Sequence, residues 1–94
     1  MAMKLRDWRN QRKLTLRACA AALGIPHARN YQRYEIGMVL PDSPMIERIK
    51  TMTDGLVSAE DHHTQRVEWI EQNKPDLLRG VHDVSIAHFL EAAE

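Results

Sequence analysis

Residues 14–37 read LTLRACAAALGIPHARNYQRYEIG, and this stretch parses as two short helices meeting at a sharp turn. Thr15 opens the first, because its hydroxyl can accept a hydrogen bond from a backbone N–H that the first turn leaves without a partner. Leu16, Cys19, Ala20 and Leu23 recur at helical spacing and define one apolar stripe. Gly24 ends the helix, since a residue without a Cβ takes the left-handed conformation of a sharp C-terminus, and Pro26 cannot continue the same hydrogen-bond ladder. A second helix therefore starts near His27. Tyr31 and Tyr34 anchor one face of it, while Arg29, Asn30, Gln32 and Arg33 supply polar side chains for a ligand.

Upstream, Lys4 to Gln11 is predicted as a helix with Leu5 and Trp8 inward. Downstream, a loop from Gly37 to Pro41 leads to a fourth helix capped by Asp42 or Ser43. Pro44 is tolerated in its first turn, and Met45, Ile46, Ile49 and Met52 form its apolar face. Asp54-Gly55 breaks that helix, and Ser58-Ala59-Glu60-Asp61 looks like the start of another, which carries Val67, Trp69 and Ile70 and stops before Pro75. Asp76 to Arg79 resumes the chain, and after Gly80 a last amphipathic helix places Ile86, Phe89, Leu90 and Ala93 on one side. The pattern contains no repeat, low-complexity tract or convincing strand.

Taken together, Leu5-Arg6-Asp7-Trp8-Arg9, Leu14-Thr15, Ala20 with Gly24, and Arg33-Tyr34-Glu35-Ile36-Gly37 resemble the helix-turn-helix regulators of the Cro and lambda-repressor type, the XRE-like family of bacterial and phage proteins. The resemblance runs from Lys4 to Asp61. It implies an all-α, lambda-repressor-like five-helix domain over residues 1–64, followed by a C-terminal helical extension over 65–94 for dimerisation or partner contact. By the same resemblance, Arg29 and Arg33 occupy positions that approach base edges, Asn30 a backbone-contacting one and Tyr31 a core one. Arg9 and Glu35 take the places of an ion pair joining the first helix to the end of the third. Three departures stand out: one extra residue in the Ile25-Pro26-His27-Ala28 turn, Leu16 in place of a polar residue, and the apolar Met38-Val39-Leu40 where basic residues are usual. The extra residue leaves the base-reading register open by one position.

The chemistry of these side chains supports a DNA reader. The planar fork of Arg29 or Arg33 suits guanine O6 and N7, the amide of Gln32 suits adenine or solvent, and that of Asn30 suits adenine or a phosphate. Thr15, Arg17, Lys13, Arg12 and His27 cluster around the helix starts as phosphate-contact candidates. Residues 1–53 carry ten Lys or Arg against four Asp or Glu, and residues 54–94 carry three against nine, so a formal net charge of zero conceals halves of +6 and −6. A basic half suits a polyanion.

Other classes find little support. No apolar run is long enough for a bilayer, and charges stand where a signal peptide would be apolar, so a cytoplasmic protein is expected. A single cysteine, Cys19, forms no internal disulfide and reads as a small buried hydrophobe. Of five histidines only His62 and His63 are adjacent, with no metal-ligand spacing, and no nucleophile motif or phosphate loop occurs. No metal, cofactor or enzyme activity is expected. The expected function is a homodimeric regulator that binds an inverted repeat and represses by occluding a promoter. The alternative is an antitoxin or anti-activator that contacts a protein partner through Trp69, Ile70, Leu77, Leu78, Phe89 and Leu90.

Overall fold

The computed structural model describes residues 3–78. Five α-helices follow one another: α1 (Leu5–Gln11), α2 (Leu16–Ala22), α3 (Ala28–Ile36), α4 (Ser43–Met52) and α5 (Ala59–Asn73), and a short 3₁₀ turn closes the series over Pro75–Leu78. Among the described residues there is no strand, and no helix is long and apolar enough to cross a membrane.

Each helix begins where its sequence supplies an acceptor, with two exceptions. Thr15 Oγ1 accepts from the Ala18 N–H at 3.0 Å and Asp42 Oδ1 from the Met45 N–H at 3.0 Å. Ser58 and Asp61 form a reciprocal capping box at the head of α5. Lys4 and His27, at the starts of α1 and α3, place no side chain on the helix.

Three helix ends share one device. After α2, the left-handed Gly24 at φ 73° lets the Ile25 N–H reach back to the Ala20 carbonyl at 2.8 Å, while the Gly24 N–H bonds that of Ala21. The same paired bonds follow α1, where Lys13 takes the left-handed place at φ 55°, and α4, where Asp54 does so at φ 55°. Glycine holds the left-handed place at only one of the three, because Lys13 and Asp54 accept a conformation that is uncommon for residues with a Cβ.

Leu5, Trp8, Cys19, Ala20, Leu23, Tyr31, Ile49 and Val57 form the core, with Leu16, Ile25, Tyr34, Met45 and Met52 packed around it. Thr53 joins it as a polar staple: its buried hydroxyl donates to the Ile49 carbonyl at 2.9 Å and accepts from the Val57 N–H at 3.2 Å. These bonds join the end of α4 to the turn that leads into α5. The boundary expected at 64/65 falls inside α5, which runs without interruption from residue 59 to 73. The helix expected beyond Gly80, with Ile86, Phe89, Leu90 and Ala93, lies outside the described residues.

Candidate nucleic-acid interface

Helix α3 divides cleanly by face. At about 100° per residue, Tyr31 and Glu35 point one way and Arg29 and Arg33 the other. Tyr31 and Glu35 are buried, Tyr34 is half-buried, and Arg29, Asn30, Gln32 and Arg33 are all exposed. Arg33 Nη1 lies 3.4 Å from Asn30 Oδ1, one turn earlier. Arg29 and Gln32 make no side-chain hydrogen bond or ion pair to any described residue. The outer face thus presents two guanidinium groups and two amides side by side, with Arg33 steadied by its neighbour.

The inner face is fastened by charge. Arg9 Nε donates to Glu35 Oε2 at 2.6 Å and Arg9 Nη2 to Glu35 Oε1 at 3.1 Å, a two-pronged pair joining α1 to the last turn of α3. The third nitrogen, Arg9 Nη1, donates to the Leu14 carbonyl at 3.0 Å and so includes the α1–α2 connection. Glu35 holds the Arg9 guanidinium above its ordinary proton affinity, and burial opposes this more weakly. Tyr31 Oη sits beside this pair, buried, with no partner in hydrogen-bonding geometry. Burial first, and then the adjacent Glu35 carboxylate, raise its proton affinity well beyond the usual phenol range. Cys19 is raised too, by burial above all, so its thiol stays protonated and inert.

The C-terminus of α3 is fastened a second time, by α5. Gly37 ends α3 at φ 86°, and a Cβ there would overlap the Gln65 carbonyl and stand 3.1 Å from Trp69 Cβ. Only glycine satisfies both the left-handed backbone and the close approach. Arg66 Nη1 donates to the Gly37 and Met38 carbonyls at 3.2 and 2.7 Å, and Gln65 Nε2 to the Ile36 carbonyl at 3.4 Å. A cation at these carbonyls also complements the negative end of the helix dipole. Arg66 lies over the Trp69 ring at 5.2 Å, and Lys74 approaches the same ring at 5.9 Å. Lys4 and Glu68 add an exposed pair between the start of α1 and α5 at 3.0 Å.

The phosphate-contact candidates are all exposed: Arg12, Lys13, Thr15, Arg17 and His27. Arg12 rests 5.5 Å above the Trp8 ring, and Lys13 occupies the left-handed turn before α2. His27 precedes α3 without capping it. Of the residues expected to meet a partner, Trp69, Ile70 and Leu78 are half-buried and Leu77 is 61% exposed; Phe89 and Leu90 lie outside the described residues. Met38, Val39 and Leu40 are 40–46% exposed and do not pack into the core.

The adjacent histidines part company: His62 is buried with Nε2 unpartnered, and His63 is exposed. Burial lowers the proton affinity of His62, opposed in part by Asp61. Gln65 and Arg66 went unnoticed in the sequence. Their partners lie 28 or 29 positions away, and the only local hint was a basic residue three positions before a tryptophan. No protein-family model, curated protein or solved structure matches this chain.

Proposed function

We propose that the chain is a sequence-specific DNA-binding transcriptional regulator of the helix-turn-helix type, with α3 as the helix that enters the major groove. The observation that carries this reading is the division of α3 into a fastened inner face and an outer face of two arginines and two amides. Such a face matches the donor and acceptor pattern of base edges, and a helix fits the width of the groove. Arg29 and Arg33 read guanine, Gln32 and Asn30 stand beside them, and Arg12, Lys13, Thr15, Arg17 and His27 contact the flanking phosphates. The resemblance to Cro-type regulators adds the assembly: a homodimer on an inverted repeat with half-sites about 34 Å apart, acting as a repressor.

A selection from random duplex DNA followed by anisotropy titration tests the reading. Enrichment of a guanine-containing inverted repeat is expected, with affinity falling steeply as salt rises. Arg29→Ala and Arg33→Ala should each weaken that site by about 1–3 kcal/mol and leave the melting temperature almost unchanged, because both side chains are exposed. Undiminished binding by the double variant overturns the assignment of α3.

A second reading, a protein-interaction module of the antitoxin or anti-activator kind, draws on the exposure of Leu77 and of Met38, Val39 and Leu40. An apolar contact of this kind persists at salt concentrations that abolish phosphate binding. The salt dependence of whatever complex the chain forms therefore separates the two.

A further inference from the structure

We propose that Arg66 is a positioning residue for base reading, which sets the angle of α3 by gripping its C-terminal carbonyls from α5; this rests on the reading of α3 given above. The geometry is specific. One guanidinium nitrogen reaches two consecutive carbonyls, those of Gly37 and Met38, at the point where α3 ends. The guanidinium is itself held over the Trp69 ring, whose Cβ lies against Gly37, so the cation and its target share one support. Gln65 takes the preceding carbonyl, that of Ile36, which completes a row of three.

Gly37 caps α3 and Met38 follows it, so a donor fixed to their carbonyls resists displacement of that end of the helix. The Arg9–Glu35 pair grips α3 from the α1 side and the buried Tyr31 seats it in the core, and Arg66 adds a restraint at the C-terminal end from α5. A groove-reading helix needs its side chains placed to within a fraction of an ångström, so a small rocking motion harms base contacts while phosphate contacts adapt. Arg66 touches no base. Its effect is therefore on the ratio of operator to non-operator affinity.

Three variants of the full chain test this: Arg66→Ala, Arg66→Met and Arg66→Lys. Met keeps apolar bulk over Trp69 but donates nothing, whereas Lys keeps the charge and donors. Binding is measured to the selected operator and to a shuffled duplex, well below the melting temperature of every variant. Arg66→Met and Arg66→Ala should lower the operator-to-shuffled ratio about tenfold and leave the affinity for the shuffled duplex nearly as it was, and Arg66→Lys should recover most of the ratio. In parallel, ¹⁹F spectra of protein labelled with 5-fluorotryptophan should show the Trp69 line moving in all three variants and the Trp8 line staying in place. A ratio kept within about twofold by Arg66→Met, or equal losses on both duplexes, overturns the proposal. If the wild type shows no duplex preference at all, the DNA-reading assignment itself fails, and a stationary Trp69 line independently refutes the grip.

Discussion

The two ends of α3 are built on opposite plans. At the C-terminus, α1 and α5 both hold on: Arg9 takes the Glu35 carboxylate, Arg66 and Gln65 take the last carbonyls, and Gly37 admits the α5 backbone. At the N-terminus, His27 offers no side-chain cap, and the exposed Arg29 and Asn30 follow within one turn. A helix clamped at one end and open at the other projects its free turn outward with little loss of rigidity. The open turn leaves backbone N–H groups and a positive dipole end without a side-chain cap.

The clamped end is where substitutions should do most damage. Glu35→Ala strands the Arg9 guanidinium, whose side chain is only 16% exposed, beside a buried phenol, and should destabilise the fold by about 3 kcal/mol in urea titration. Equal stability of variant and wild type would mean that the pair is ornamental. Gly37→Ala forces a Cβ into the Gln65 carbonyl and strains a left-handed residue, for an expected loss of about 2 kcal/mol. If thermal melting places that variant within error of the wild type, α5 does not lean on α3 as closely as described.

Acid probes the helix that supplies the clamp. His62 is buried uncharged in α5 and its folded proton affinity lies below the unfolded value, so its protonation favours the unfolded chain. Stability owed to the neutral imidazole is full above the unfolded value near pH 6.5 and is lost as pH falls through the folded value. Melting curves between about pH 7 and pH 5 should show a drop that His62→Phe reduces; an unchanged pH slope in that variant would exonerate the histidine. The smallest effect belongs to the open end. His27→Asn supplies the missing cap and should raise stability by about 0.5 kcal/mol, seen as a slightly higher urea midpoint.

Much of this architecture is legible in the residues themselves. Thr15, Asp42 and the Ser58–Asp61 pair announce helix starts because capping is local chemistry, and Leu5, Trp8, Cys19 and Leu23 reveal their faces through spacing alone. The division of α3 follows from the same periodicity. The left-handed Lys13 escapes such reasoning, since nothing in its side chain favours that backbone. Arg66 escapes for a different reason: a donor 29 positions from its acceptor leaves no periodic trace, and only the packed tertiary structure brings them together. His62 and His63 are equivalent as letters, and only the orientation of α5 decides which one loses its water.

Burial of Cys19 has a practical side. The 94 residues contain one sulfhydryl, and at 1% exposure it is closed to maleimides, air oxidation and mixed-disulfide formation. Preparations need no reductant to remain uniform. An Arg29→Cys variant would then carry a single addressable position, so a label placed there reports on the outer face of α3 without first removing the natural thiol from the interior.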